Sequence, residues 1–289
     1  MGKVFSFCNQ KGGVGKTTSA INIAALTAYK GHKTLLIDID SQANTTSGIG
    51  IDKPLLELTS YSLIVDKIDP ATLIKATSVE NLDIIPSNED LAGADLELIN
   101  RNRREYALRE QLNLIKDRYD FIFLDCPPSL GMITINSLTA SNYIIIPLQC
   151  EYYALEGLSQ LLHAYELVRS NLNPELEIGG VILTMADFRT NLTQQVIEEV
   201  RNYFKEKVFE TVIPRSVKIS EAPSFGKPAV FYDPQNRASK SYQLVADEFL
   251  RRFAVKRNAS AGEKKAEEKN LSEGENTEVR LFREQTRTT

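Results

Sequence analysis

Cysteine is scarce in this sequence, and its positions exclude the roles that cysteine patterns most often signal. The three cysteines are Cys8, Cys126 and Cys150, each in or beside an apolar run. Their spacing forms neither a disulfide framework nor a C-x-x-C metal or redox motif. We therefore interpret them as buried free thiols that pack as small apolar side chains in a reducing compartment.

Long apolar segments are also missing. No run approaches the about 20 residues that cross a bilayer, and the first residues lack the basic and apolar regions of a secretory signal. The sequence thus predicts a cytoplasmic protein with no membrane partner. Its formal net charge of −4 gives no overall basic signature for nucleic acid, but it leaves room for a local basic patch.

Short apolar runs alternate with helical patterns along most of the chain. The runs are continuous, which is typical of strands buried on both faces of a parallel sheet. They span residues 3–8, 34–39, 82–86, 121–125, 143–148, 178–185 and 208–214. Helical spacing of apolar residues covers 17–30, 154–170, 191–205 and 239–253. The alternation predicts an α/β fold: an open, mostly parallel, twisted sheet with helices on both faces.

The boundaries of these elements carry two further signals. Asn191 and Gln194 are spaced like a capping box at the start of the third helix. Residues 256–289 contain eight Lys or Arg, seven Glu and few apolar residues. Such a segment buries too little apolar surface to offset the entropy lost on ordering. We therefore expect one folded domain over residues 1–255 and a charged, disordered tail over 256–289.

A glycine-rich loop follows the first predicted strand and opens the first predicted helix. It ends in Gly15, Lys16 and Thr17 as a P-loop does, although Gln10 stands where the common motif has its first glycine. Glycines let main-chain amides approach a phosphate at the positive end of a helix. The lysine supplies a charge to the β- and γ-phosphates and the threonine a hydroxyl to Mg²⁺. The predicted ATP-binding residues of the loop are Gly12, Gly13, Val14, Gly15, Lys16, Thr17 and Thr18.

Acidic residues end two of the predicted strands. The apolar run 121–125 ends in Asp125, as in the Walker B motif that holds Mg²⁺. Another strand ends in Asp38 and Asp40. These two carboxylates are also candidates for the magnesium site, and the alternative is that they cap the following turn.

These motifs resemble one known family, the deviant Walker A ATPases of the ParA/MinD group. The main matches are KGGVGKTT at residues 11–18, LLIDIDSQ at 35–42 and FLDCPPS at 123–129. Further matches resemble the ParA (Soj-like) branch, which partitions chromosomes and plasmids, and they lie at residues 147–157, 190–192 and 212–224. The resemblance runs from about residue 2 to 253.

The resemblance implies roles for individual residues. Lys11 would be the family's extra lysine, which reaches the partner's phosphates in an ATP-sandwich dimer and acts in catalysis together with Lys16. Asp40 would position the attacking water. Asp38 would support the Mg²⁺ shell, and Asp125 would hold Mg²⁺ through water.

Other implied contacts lie farther along the chain. Glu151 would contact the opposite nucleotide, and Met185 and Pro214 would border the adenine. The family binds double-stranded DNA without sequence preference through basic residues, for each of which an ordinary solvated charge is the alternative. The candidates here are Arg189, Lys218, Lys227, Arg237 and Lys240.

Two positions depart from the family pattern. Ser41 replaces the proline that usually follows the second acid, and Lys218 stands where arginine is common. Neither change removes a required group, although lysine is a less bidentate partner for phosphate than arginine.

The resemblance therefore implies a nucleoid-associated partitioning ATPase. It would cycle between monomer and ATP-bound homodimer, bind DNA as the dimer, and hydrolyse ATP when a ParB-like partner stimulates it. One alternative is a MinD-like membrane switch, because residues 248–257 combine bulky and basic side chains. The others are a redox enzyme like the nitrogenase iron protein, and an ATP-binding scaffold without catalysis.

Overall fold

The structure, a computed structural model, describes residues 2–151 and 158–254. The chain divides into two units, Met1–Leu250 and Arg251–Thr289, and the sheet and the candidate site belong to the first. The tail predicted over residues 256–289 lies outside the described residues, as does the predicted start of a helix at residue 154. The domain boundary at residue 255 stays a prediction.

The strands of the described residues form one sheet. They are β1 (Lys3–Phe7), β2 (Thr34–Asp38), β3 (Lys75–Ala76), β4 (Leu82–Ile85), β5 (Phe121–Asp125), β6 (Tyr143–Gln149) and β7 (Glu177–Thr184). Their order is β3-β4-β2-β5-β1-β6-β7. The β3–β4 pair is antiparallel and the other pairs are parallel. Every residue of the central strands β2 and β5 is buried, as is typical of mostly apolar strands in a parallel sheet covered on both faces.

Helices connect the strands. The α-helices are α1 (Lys16–Tyr29), α2 (Asn44–Gly48), α3 (Ser60–Ile64), α4 (Pro70–Leu73), α5 (Ala94–Leu98), α6 (Ala107–Leu112), α7 (Met132–Ala140), α8 (Ser159–Asn171), α9 (Asn191–Phe204), α10 (Val217–Glu221), α11 (Ala229–Tyr232) and α12 (Arg237–Phe253). Short 3-10 helices lie at Lys53–Leu55, Glu89–Gly93, Arg104–Tyr106, Lys116–Arg118, Lys205–Lys207 and Ala222–Phe225.

The sheet separates two apolar layers, because successive residues of a strand point to opposite faces. On one face, Phe5 and Phe123 pack against Phe249 of α12, with ring centroids 4.8 and 5.4 Å away. On the other face, Val4 joins a buried cluster that includes Leu138 of α7. Helices thus cover both faces, and the predicted α/β fold is confirmed.

Two local predictions are wrong. Residues 208–214 are not a strand, since they contact β7 and the residues after it through isolated bridges, Val181 with Val208 and Ala186 with Pro214. Helix α9 is capped by Thr190, whose hydroxyl accepts from the Thr193 amide, instead of by the Asn191 capping box. The hydroxyl one residue earlier reaches the free amide of the first turn.

Candidate functional site

The candidate site lies where parallel strands end side by side. The carboxyl end of β5 pairs with those of β1 and β2, so that Phe7 and Asp38 both lie opposite Asp125. Loops that follow such strand ends commonly bind ligands in open α/β sheets. Here the glycine loop follows β1, and the predicted carboxylates end β2 and β5.

The glycine loop has the backbone of a phosphate cradle. Gly13 and Gly15 adopt φ of +73° and +88°, a region that favours glycine. A Cβ added at Gly12 or Gly13 would meet nothing within 4 Å, so the loop borders open space there. Helix α1 begins at Lys16 without a side-chain cap. Its first amides and its positive end are therefore available to an anion.

Residues outside the motif hold this loop in place. The side chain of Asn9 accepts from the Lys11 amide at 3.0 Å and donates to the Pro147 carbonyl at 2.7 Å. The Thr184 hydroxyl donates to the Val14 carbonyl at 2.8 Å. The loop is thus tied to β6 and β7. Sequence reasoning missed both anchors, because their partners are main-chain atoms far along the chain.

Lys16 lies inside the loop. Its side chain is buried and its Nζ donates to the Lys11 carbonyl at 3.2 Å. Burial lowers the pKa of Lys16, and the charge of nearby Asp125 opposes that shift. A phosphate bound at the loop would supply the compensating negative charge.

One carboxylate oxygen of Asp125 accepts hydrogen bonds from two hydroxyl groups, and the other has no hydrogen-bond partner. Its Oδ2 accepts from Thr17 and Thr45, each at 2.7 Å, whereas its buried Oδ1 has no hydrogen-bond partner. Burial raises the pKa of Asp125 to about 6. A buried carboxylate oxygen without a donor fits a hydrated cation. Thr45 was not predicted.

Asp38 is committed to the turn that follows β2. Its Oδ2 accepts from the Thr46 amide at 2.8 Å and the Thr46 hydroxyl at 2.7 Å, and its Oδ1 accepts from the Asp40 amide at 3.2 Å. Burial, followed by the charge of Asp125, raises the pKa of Asp38 to about 7. Its hydrogen bonds match the capping alternative, although its register position beside Asp125 also keeps it next to the predicted metal site.

Asp40 is buried at the start of the same turn. Its Oδ1 accepts from the Gln42 amide at 3.0 Å. Each carboxylate oxygen has two lone pairs, so Asp40 can hold the turn and also accept a hydrogen bond from a water beside the loop. The Asp40 amide donates to Asp38 Oδ1, and the preceding Ile39 amide donates to the Asp125 carbonyl at 3.1 Å, so Asp40 lies close to both acids.

The described residues contain no cluster of three or more His, Cys, Asp or Glu side chains suited to a metal. Magnesium needs no such cluster, because it is commonly held by one or two protein oxygens, substrate phosphates and water. Thr17 and Asp125 provide such a pair, with Oγ1 and Oδ2 2.7 Å apart.

Lys11 and Glu151 form an ion pair within one chain. Lys11 Nζ lies 3.1 Å from Glu151 Oε2, and Arg215 Nη2 lies 3.5 Å from Glu151 Oε1. All three side chains are partly exposed, so the contacts can exchange with a ligand or a second subunit. Arg215 was not predicted, although it directly follows Pro214 in a segment that carries the family resemblance.

The two residues expected at the adenine lie on neighbouring segments. Met185 has a left-handed φ of 53°, and a Cβ at Gly15 would lie 3.9 Å from its Cε. Pro214 forms a bridge with Ala186. Pro214 also lines a groove, whose other walls include Asp187, Arg189, Arg215, Asn236 and Arg237.

The five candidate DNA contacts are all exposed, but the structure does not gather them into one groove. Arg189 and Arg237 line the groove beside Pro214. Lys218 lies on α10, Lys240 on α12, and Lys227 directly after the turn at residue 226.

Two of these cations are held by carboxylates of the same chain. Arg189 binds Asp187 through two hydrogen bonds, Nε to Oδ1 at 2.8 Å and Nη2 to Oδ2 at 2.6 Å. Lys218 Nζ lies 2.8 Å from Glu221 Oε2. Arg189 lowers the pKa of Asp187 to about 2.

The MinD-like alternative depends on residues 248–257, of which 255–257 lie outside the described part of the chain. Across the described residues, no helix has both the length and the apolar character to cross a membrane.

Comparison with known proteins agrees with this geometry. The family described as an AAA domain matches residues 2–178. The sporulation initiation inhibitor protein Soj of Bacillus subtilis is 56% identical over 248 residues, which cover 86% of this chain and 98% of the relative. The chromosome-partitioning ATPase Soj of Treponema pallidum is 51% identical, with 87% and 98% covered. The chromosome partitioning protein ParA of Myxococcus xanthus is 47% identical, with 89% and 90% covered.

Solved structures share the fold. Cobyrinic acid a,c-diamide synthase from Mycobacterium smegmatis, with bound ATP analogue and magnesium, has a TM-score of 0.78 at 33% identity and covers 89% of this chain and 98% of its own. A putative plasmid partition protein from Borrelia burgdorferi, bound to AMPPNP, has a TM-score of 0.75 at 28% identity, with 87% and 99% covered.

The sheet and its glycine loop define a P-loop nucleoside triphosphatase fold. Within that class, the coverage and identity of the relatives decide the group. The chain belongs to the ParA/MinD family of deviant Walker A ATPases, in its Soj-like ParA branch.

Proposed function

We propose that this chain is a Mg-ATP-dependent partitioning switch, which hydrolyses ATP slowly and binds DNA without sequence preference as an ATP-bound homodimer. One observation carries the nucleotide part of the proposal. Beside the glycine loop, Asp125 holds the Thr17 hydroxyl on one oxygen and keeps its other buried oxygen without a donor. Solved relatives that carry an ATP analogue with magnesium, or AMPPNP, support the same ligand.

Different residues of the site would bind the phosphates, the metal and the attacking water. The amides of the loop and Lys16 bind the phosphates, while Thr17 and Asp125 would hold Mg²⁺, directly or through water. When bound there, Mg²⁺ would supply positive charge that offsets the charge on the phosphoryl group. Asp40 holds the attacking water as a hydrogen-bond acceptor.

Lys11 links this chemistry to dimerisation. In the monomer its ammonium pairs with Glu151. In the dimer Lys11 would turn to the phosphates of the partner and oppose the charge that develops there, as an arginine finger does. Hydrolysis then requires two nucleotide-bound chains.

The DNA-bound dimer would be the active state in partitioning. A ParB-like partner would stimulate hydrolysis, release the chains from DNA and so drive the segregation of replicated DNA. The names of the Soj and ParA relatives, one of them a chromosome-partitioning ATPase, support a role in partitioning.

The test measures binding to duplexes of unrelated sequence with ATP, with ADP and without nucleotide, at about 50 mM and about 200 mM salt. We expect binding with Mg-ATP alone, with a steep loss at the higher salt, because phosphate contacts release counterions. Phosphate release measured on the same protein, with and without Mg²⁺, separates a slow ATPase from a scaffold. Equal DNA binding in all three nucleotide states would contradict the proposal.

A further inference from the structure

Two cysteines that are distant in sequence meet directly beneath the glycine loop. Cys8 follows β1 and Cys126 follows β5, and these parallel neighbours pair Phe7 with Asp125. One further step in register sets the two cysteines opposite each other, and the Cys126 amide donates to the Phe7 carbonyl at 3.3 Å. Both belong to the same buried apolar cluster, so they lie on one face of the sheet.

The sulfur atoms are already in contact. Cys8 Sγ and Cys126 Sγ lie 2.9 Å apart, and each residue is 1% exposed. Neighbouring strands lie about 4.8 Å apart. This spacing falls inside the range of about 4.4 to 6.8 Å between the Cα atoms of disulfide-bonded cysteines. The strand pairing therefore holds the two thiols at a separation that a disulfide can bridge.

We propose that Cys8 and Cys126 are an oxidation site, at which a small two-electron oxidant of the peroxide class closes one intramolecular disulfide between β1 and β5. One sulfur attacks a peroxide oxygen, the O–O bond breaks, and a sulfenic acid and water form. The second sulfur displaces the hydroxyl group, which leaves as a second water when the S–S bond forms. Two thiols and one hydrogen peroxide thus give one disulfide and two waters, and a dithiol reductant reverses the change.

Burial selects the oxidant. With both residues at 1% exposure, a bulky disulfide reagent cannot reach either sulfur in the folded chain, whereas a molecule as small as hydrogen peroxide can enter during local opening. The product is intramolecular for the same reason, because a thiol of a second chain has no access to the pair.

The cross-link would act on the nucleotide site, and this consequence rests on the proposed function. Cys8 immediately precedes Asn9, which anchors the Lys11 amide, and Cys126 immediately follows Asp125. An S–S bond is about 2.05 Å long, so the two sulfur atoms must approach by about 0.9 Å from their present 2.9 Å, and the residues beside Asn9 and Asp125 must adjust to that movement. Functional sites tolerate displacements of about 0.5 Å. The oxidised protein therefore binds Mg-ATP more weakly than the reduced protein.

The first experiment scores the cross-link by mass. Full-length reduced protein without nucleotide is treated with hydrogen peroxide, its remaining thiols are blocked with N-ethylmaleimide in denaturant, and peptides are analysed without reduction. We expect a linked Cys8–Cys126 peptide that dithiothreitol removes. The matched control is Cys150→Ser, which removes the third buried thiol and should leave the cross-link intact. Recovery of Cys8 and Cys126 as blocked thiols or sulfinic acids, without a link, would overturn the proposal.

The variants Cys8→Ser and Cys126→Ser guard against a cross-link formed in unfolded protein. Circular dichroism and thermal melts establish whether each variant is folded. Peroxide should give neither folded variant an intramolecular link. A disulfide from Cys150 to the remaining cysteine in either variant would show that proximity in the fold does not select the pair.

The second experiment compares nucleotide binding by oxidised and re-reduced protein, with a fluorescent ATP analogue and Mg²⁺. We expect at least about tenfold weaker binding after oxidation and full recovery with dithiothreitol, since a displacement of about 1 Å can cost this much in a preorganised site. Equal affinities at full cross-linking would overturn the coupling. Failure of the reduced protein to bind nucleotide would instead contradict the proposed function. It would not affect the disulfide proposal, because the mass of the linked peptide alone decides whether the disulfide forms.

Discussion

Single residues in the nucleotide site carry charge that the fold buries. Burial lowers the pKa of Lys16 and raises the pKa values of Asp38 and Asp125 to about 7 and about 6. Buried charges destabilise a fold unless they are paired and hydrogen-bonded. Phosphates next to Lys16 and a cation next to Asp125 would supply the missing partners, so ligand binding should stabilise the protein.

We expect Lys16→Ala to weaken ATP binding by about 10- to 100-fold, the range of one lost charged hydrogen bond. The buried ammonium lies inside the loop, where it donates to the Lys11 carbonyl at 3.2 Å. Titration of a fluorescent ATP analogue measures the change. Lys33→Ala, which removes an exposed lysine before β2, is the control and should bind as the parent does. An unchanged affinity in Lys16→Ala would remove the lysine from the site.

Asp38 makes the stability of the nucleotide-free protein depend on pH. Its pKa rises from 3.8 to about 7 on folding, so the folded state binds more protons than the unfolded state between these values. Its contribution therefore becomes less favourable as pH rises from about 4 to about 7 and stays constant above. Asp38→Asn removes this decline, although it also loses hydrogen bonds to Thr46 at every pH.

The measurement is the free energy of unfolding of both proteins by urea at several pH values. Between about pH 5 and about pH 8, the difference between Asp38→Asn and the parent should shift in favour of the variant by at least about 1 kcal/mol. The control is Asp52→Asn at an exposed carboxylate. Parallel pH profiles for Asp38→Asn and the parent would show that Asp38 does not titrate in this range.

The sequence predicted the site residues that belong to one contiguous motif, but not those that are distant in sequence and meet only in the folded chain. Gly15, Lys16 and Thr17 are recognisable because one strand–loop–helix unit contains them all. Thr45 reaches Asp125 across 80 positions, and no spacing rule connects the two. Arg215 was missed for the same reason, since its partner Glu151 lies on another segment.

At the scale of elements, buried parallel strands were the most predictable features. The run 121–125 coincides with β5, and the run 143–148 misses one residue of β6. The run 208–214 donates to β7 at two separated points, Phe209 N to Val181 O at 2.9 Å and Ile213 N to Leu183 O at 2.8 Å, and forms isolated bridges instead of a continuous strand. Its Phe209 ring packs where a Cβ of residue 180 would lie, at 2.5 Å. Gly180 thus lets the segment pack closely against β7.

The cap of α9 gives a prediction at this scale. Thr190→Ala removes the hydroxyl that accepts from the Thr193 amide, and we expect a loss of about 1 kcal/mol in the free energy of unfolding. The neighbouring substitution Asn191→Ala is the matched control and should cost less, because Asn191 is already inside the helix. Urea unfolding monitored by circular dichroism measures both. A larger loss in Asn191→Ala would restore the capping box that the sequence suggested.

The whole molecule has a formal net charge of −4, so its binding to DNA must depend on local basic side chains that can exchange their carboxylate partners for phosphates. Arg189 is 88% exposed in its side chain but is paired with Asp187. Arg189→Glu should therefore weaken DNA binding and reduce the salt slope by about 1, whereas Asp187→Asn should strengthen binding by releasing the guanidinium. Binding isotherms at several salt concentrations with Mg-ATP measure both. Opposite effects of the two variants support a phosphate contact, and identical effects would contradict it.

In the proposed cycle, dimerisation would join the nucleotide site to the DNA-binding surface, and Asp40 would be needed for hydrolysis but not for binding. Asp40→Ala keeps the loop, Lys16 and Asp125, but it removes the buried carboxylate proposed to hold the attacking water. We expect the variant to bind ATP, to lose turnover by about 100-fold or more, and to remain as a dimer on DNA. Phosphate release, light scattering and DNA binding measure the three properties on one preparation. Lys11→Ala is the matched comparison. It should also lose hydrolysis, because Lys11 is proposed to act on the nucleotide of the partner subunit, and it removes the ion pair with Glu151. If Asp40→Ala hydrolyses ATP at the parental rate, another group holds the attacking water, and Asp40 does not control the rate of hydrolysis.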